Sequence, residues 1–199
     1  MRQRASLHPD GVRSQRTPYC AWVHIELRED GARTFPEIAE AANVTTLRVW
    51  HCKYRSLESL RQFTNLSGLD VLPFPDASLD AVGELGCLRF LSILHLPKVS
   101  DLGPLSRLKS LTALRLSTLP SWDASGKKTT VASFEPLAQL AELRHIELLS
   151  VVAADNSLRT LERLPLLETA NVHGFPKDEV ARFFTSSGIN KAHVPNPDF

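Results

Sequence analysis

The chain has 199 residues, 43% hydrophobic and 23% charged, and its 23 basic and 22 acidic side chains leave a formal charge of +1. That length suits one domain with a continuous core, and the balanced charge gives no general drive toward nucleic acid or an anionic membrane surface. No apolar run approaches the roughly 20 residues needed to cross a bilayer, and the composition is that of a globular chain rather than a disordered one.

Residues 1–20, MRQRASLHPDGVRSQRTPYC, carry Arg2, Arg4, Arg13 and Arg16 with no apolar segment behind them. They do not read as a secretory signal peptide and are expected to form a flexible basic arm. Cysteine occurs at positions 20, 52 and 87 only, an odd and small number that suits a reducing cytoplasm.

From 21 to 176 the chain repeats itself. WVHIEL from Trp22, VTTLRVWHC from Val44, LSGLDVLPF from Leu66, LRFLSILHL from Leu88, LTALRLSTL from Leu111, LRHIELLSV from Leu143 and LETANV from Leu167 fit one frame, L-x-x-L-x-L. Val or Ile sometimes replaces Leu, Trp22 opens the first and Ala170 is a shrunken core residue in the last. The first four starts are 22 apart, followed by steps of 23, 32 and 24. Alternation over the middle of each segment predicts a short strand. Between them lie FPEIAEAA, SLESLRQF, SLDAVGEL, DLGPLSRL, SFEPLAQL and SLRTLERL, with apolar residues every third or fourth position and Ser or Asp often preceding as an N-cap. Each period is thus a strand, a turn and a short helical return, and stacked units bury leucines that one unit alone cannot. The large side chain of Trp22 is expected to cover the first repeat.

The 32-residue step contains an insertion, SWDASGKKTT, from Ser121 to Thr130. Its Gly-Lys pair and threonines suggest a phosphate loop, but Ser121 stands where that loop's first glycine belongs. Lys128 separates Lys127 from Thr129, and a helix is expected only from Ser133. It reads instead as a long edge loop, with Trp122 as a mobile aromatic able to touch a partner. Residues 177–199 are expected to form a cap: a helix over PKDEVARFFTSSG with Val180, Phe183 and Phe184 facing the last repeat, ended by Gly188. The following NKAHVPNPDF is expected along the side of that cap.

The repeated frame resembles the leucine-rich-repeat family in its short 22-residue class, as in internalin-like and phosphatase-regulator proteins, over roughly residues 22–184. The resemblance implies an α/β solenoid of about seven strands, with a concave parallel sheet and short helical or 3-10 segments on the convex side. It also implies a protein-recognition module whose concave face grips a partner, and the residues themselves offer no catalytic constellation. Where the family often has Asn or Cys nine residues into the repeat, only Cys52 fits; Phe74, Leu96, Leu119 and Val151 hold the other places. Cys52, Phe74 and Leu96 are therefore expected in the core, and the turns are expected to be less regular.

On the solvent face of the strands, alternation predicts three rows across the repeats. Glu26, Arg48 and Asp70 alternate in sign along the central row and are expected to pair. Trp50, Leu72, Phe90 and Leu94 form an apolar grouping expected to face water, of the kind that anchors a protein partner. The candidate partner-binding residues are these four, with Arg48, Asp70, Arg115 and Glu147 setting orientation and Trp122 at the edge. His24, His145 and His173 fall in separate repeats, and His51 and His95 lie two repeats apart, about 10 Å at the usual strand spacing. No metal site, cofactor or nucleophile motif is expected. The expected partner is an unidentified protein, with no nucleic acid or membrane involved and the monomer favoured. Two alternatives stand beside this: an effector exported by means of the basic arm, and, more weakly, an enzyme with a spatially assembled site.

Overall fold

The return path between strands follows an apolar spacing of three, not a mixture of three and four. Leu57, Leu60, Phe63 and Leu66 are all buried. The Leu60 amide donates to the Leu57 carbonyl at 2.9 Å, Phe63 to Leu60 at 3.0 Å and Leu66 to Phe63 at 3.1 Å. Bonds spanning three residues make a 3-10 helix, whose three residues per turn bring every third side chain onto one inward line. The same ladder recurs from Leu102, Phe134 and Leu158, giving 3-10 segments at Glu58–Gln62, Gly103–Arg107, Glu135–Gln139 and Arg159–Arg163. In one repeat the return is a single α-turn, α1, Asp80–Gly83. The expected Ser and Asp residues stand one position before the N-cap, which is Leu57, Leu79, Leu102, Phe134 or Leu158 and makes no side-chain bond. Ser56, Ser78, Asp101, Ser133 and Ser157 instead accept the amide two residues on.

The computed structural model describes residues 23–195 and, for the backbone alone, 12–15. The strands are β1 (Val12–Gln15), β2 (Val23–Arg28), β3 (Val44–Trp50), β4 (Gly68–Leu72), β5 (Phe90–Leu94), β6 (Ala113–Ser117), β7 (Thr129–Val131), β8 (His145–Leu149), β9 (Val151–Ala153), β10 (Thr169–His173) and β11 (Asn190–Lys191). Among the described residues nine of them form one sheet, in the order β1-β2-β3-β4-β5-β6-β8-β10-β11. It is parallel from β2 onward, with β1 antiparallel at its edge. Inward residues such as Leu47, Leu69, Leu91, Leu114 and Ile146 are 0% exposed and stack into one continuous core with the convex leucines.

The turns repeat closely, against expectation. The residue after the strand is left-handed at Glu29 (φ 56), His51 (φ 57), His95 (φ 67), Ser150 (φ 56) and Gly174 (φ 92). Its amide reaches the next strand's last carbonyl: Glu29 to Trp50 at 2.8 Å, His51 to Leu72 at 2.6 Å, His95 to Ser117 at 2.7 Å and Ser150 to His173 at 3.0 Å. Pro73 has no N–H to give, and Phe74 supplies the bond instead, to His95 at 3.0 Å. A backbone ladder and buried Cys52, Phe74, Leu96 and Val151 together hold the turns.

Both ends depart from expectation. Within the arm, Val12–Gln15 is a strand, paired antiparallel along the edge of β2; the rest of the arm, and Trp22, expected as the cover of the first repeat, lie outside the described residues. At the other end, α3 (Lys177–Ser187) seals the core with Phe183 and stops at left-handed Gly188, as its sequence implies. The segment after it does not run along the cap. β11 adds to the sheet beside β10, and residues 192–194 continue onto the outer face. The insertion is also more ordered than a loop. Pro120–Ala124 forms a helical turn, α2, and β7 pairs with β9 in a second, two-stranded sheet.

Candidate functional site

Strand register places all three outward rows as the alternation requires. Glu26, Arg48, Asp70, Ser92, Arg115, Glu147 and Asn171 are successive partners across the sheet. So are the flanking rows through Thr46, Gly68, Phe90 and Ala113 on one side and through Trp50 and Leu72 on the other. Repetition on a 22-residue period forces this, because equivalent positions meet when units stack in parallel. What these side chains face is a separate matter.

In the first repeats the central row is an ion-pair ladder. Arg48 lies 3.8 Å from Glu26 and 3.2 Å from Asp70, and Arg28 lies 2.7 Å from Glu26. The Trp50 indole N–H donates to Asp70 Oδ2 at 2.9 Å, while the Arg48 and Arg28 guanidiniums stand 5.3 and 5.7 Å from the ring. Cations at that distance are held by the ring's electron-rich face. Burial works to raise the Glu26 carboxyl, but its bond to Arg28 and the nearby positive charges win and hold it below the usual range. His24 bonds Thr46 at 2.8 Å, and burial lowers its pKa, with Arg48 adding to the effect.

The expected apolar grouping is only half on the surface. Trp50 and Leu94 are half-buried, but Leu72 is 5% and Phe90 7% exposed, so the expectation that all four see water is corrected. The cover over Phe90 is the chain itself: Val194, 2% exposed, packs with Phe90 and Ala113 in an apolar cluster separate from the core. Polar contacts fasten the same segment. Arg115 Nη2 donates to the Val194 carbonyl at 3.0 Å, and His193 Nδ1 lies 2.8 Å from Glu147 Oε2. Glu147 also takes a bond from Asn171 at 3.1 Å, and Arg115 Nε sits 3.1 Å away as a charge contact, not an aligned hydrogen bond. Asp70 and Glu147, expected to set a partner's orientation, are both buried carboxylates bound within the molecule. His193 and Val194 carry no sequence signal beyond one apolar residue in a polar, proline-flanked stretch.

At the edge nearest the insertion, the Trp122 ring stands edge-on to His95 at 4.8 Å, with Lys127 5.7 Å above it. Burial holds the His95 imidazole below its usual pKa. Asp123 binds the buried Ser150 hydroxyl and lies 3.3 Å from His173. A nucleophilic triad needs the imidazole between serine and carboxylate; here the carboxylate is in the middle, so Ser150, Asp123 and His173 do not have the order of a triad. Lys127 faces Trp122 and Lys128 bonds the Gly174 carbonyl, so neither lines a phosphate cradle. Among the described residues no group of three or more His, Cys, Asp or Glu is arranged to hold a metal ion. No described helix is long and apolar enough to cross a membrane.

Solved structures similar to this chain include internalin C2 of Listeria monocytogenes, at 23% identity and a TM-score of 0.51 over 68% of this chain and 56% of that one. Another is the internalin InlF of the same organism, at 19% identity and 0.54 over 87% of this chain and 54% of that one. The chain thus spans little more than half the length of either. No protein-family model and no curated protein matches the sequence. Stacked strand–turn–3-10 units on one apolar frame, matched in space by two internalins, have a single description: this protein is a leucine-rich-repeat solenoid with an α/β fold.

Proposed function

We propose that this solenoid is a non-catalytic recognition module that binds a protein partner on the outer face of its main sheet. The observation that supports the reading is that this face already holds a stretch of polypeptide without helix or strand, through the apolar contact of Val194, its main-chain carbonyl and the His193 ring, which lies 2.8 Å from Glu147 and 3.0 Å from Asn171. A rigid sheet with apolar and charged groups at fixed spacing holds such a stretch at little ordering cost to itself. In the proposed complex half-buried Trp50 and Leu94 supply the apolar anchors, with buried Leu72 in the same row as Trp50 and Phe90 in the opposite flanking row under Val194. Arg48 and Arg115 are held in orientation by Asp70 and Glu147, so they present fixed donors to a partner's carbonyls or carboxylates. Trp122 extends the surface at the edge of the second sheet.

Trp50 projects from the face opposite the core, so Trp50→Ala paired with Leu94→Asp leaves the leucine stack intact. Affinity capture from the native host, followed by mass spectrometry, is expected to recover a protein with the natural chain and lose it with the double variant. Recovery of the same proteins by both chains overturns the proposal.

A further inference from the structure

The outer face has a subsite whose requirements can be read from what fills it. Phe90 and Ala113 are its apolar floor, Arg115 Nη2 gives a bond outward and Glu147 takes one. Each is completed by residues 192–194, which arrive from β11 after the Ala192 amide bonds the Ala170 carbonyl at 3.2 Å. Lifting this segment off would wet an aromatic ring. It would also remove one acceptor from Arg115 and one partner from a carboxylate that is only 4% exposed. Whatever replaces it must offer the same three things in the same order along a chain: a side-chain donor, then an apolar side chain of about valine size, and that residue's main-chain carbonyl. The segment is fastened by side chains and one backbone bond beyond β11, not by a strand ladder, so it can open without unpairing the core sheet.

We infer that residues 192–194 are a displaceable intramolecular occupant of the recognition face, and that the partner carries a segment of the same chemistry. That segment has a histidine-like donor followed by a β-branched apolar residue, and it competes with the chain's own Val194 for the Phe90–Arg115–Glu147 subsite. The inference rests on the outer face being the protein-binding surface.

The test uses a fluorescent peptide of residues 190–199, NKAHVPNPDF, titrated by anisotropy against the full chain and a chain truncated after Lys191. The truncated chain is expected to melt cooperatively and to bind the peptide saturably, at least about tenfold more tightly than the full chain, whose own segment occupies the subsite. The peptide carrying Val194→Asp is expected not to bind. A folded truncated chain that ignores the peptide, equal binding by both chains, or undiminished binding of the Val194→Asp peptide overturns the inference. Should truncation prevent folding, the full chain with His193→Ala and Val194→Asp is titrated instead, and absence of binding there overturns the inference equally. Hydrogen exchange on the unaltered chain gives an independent readout: the Ala192 amide, bonded to the Ala170 carbonyl, is expected to exchange well before those of β5. Exchange only upon global unfolding would show a permanent clasp. If the peptide fails while capture still depends on Trp50 and Leu94, only the inference falls; if both fail, the protein-binding reading falls with it.

Discussion

Gly174 shows how much one position of the turn ladder can demand. It follows β10 at φ 92, and a β-carbon there would stand 3.0 Å from the Ser150 Cα and 3.2 Å from its Oγ. Backbone and a buried, hydrogen-bonded serine cannot easily move aside. Gly174→Ala is therefore expected to cost about 1–3 kcal/mol in urea unfolding, from strain and contact together. Gly126, at φ 73 with nothing within 4 Å, is the control: Gly126→Ala carries strain alone and should cost less. A smaller effect at 174 than at 126 would show that the turn relaxes. None of this is visible in the sequence, where Glu29, His51 and His95 hold equivalent left-handed places without glycine. The side-chain rows are visible, since alternation alone separates Leu47 from Arg48.

Among the elements, the cap helix α3 is held by a charged clamp. Glu179 accepts the Leu158 amide at 2.7 Å and pairs with Arg182 at 2.6 Å, while Arg182 also reaches Glu162 at 2.6 Å. The Arg182 bond, with the Leu158 amide behind it, lowers the Glu179 carboxyl from 4.5 to about 2 against the opposing effect of burial. A carboxyl lowered on folding stabilises the native state fully above its unfolded value and ceases to do so as pH falls through its folded value. At neutral pH, Glu179→Gln is expected to lower stability by about 1.5–3 kcal/mol, the range for hydrogen bonds to charged groups. Thermal melts should show that gap narrowing from pH about 4.5 and closing near pH 2. A gap constant across this range would mean the clamp is not electrostatic. The helix itself is legible from its acidic first turn, its Phe183 stripe and Gly188. The β7–β9 sheet is not, because the insertion carries no period and its pairing partner lies a full repeat away.

Across the whole molecule each repeat packs mainly on its neighbours, so a void in the middle separates two stacks that each depend on the other. Leu91, on β5 and 0% exposed, sits at that point. Leu91→Ala is expected to cost about 2–5 kcal/mol in chemical denaturation, and a loss under about 1 kcal/mol would show that the stack collapses to fill the space. By itself the sequence determined the solenoid, its strand register, its inward leucines and its short helical returns. Those features depend on contacts between positions one period apart, and repetition writes the same contact many times. Only the tertiary structure decided what the outer face meets. Val194 lies 79 residues from the arginine that holds it, it occurs once, and no local pattern marks a contact of that span. The face that alternation left open to solvent is thus partly occupied by the chain's own residues, because burying Phe90 and satisfying Arg115 and Glu147 favours the segment lying across the strands.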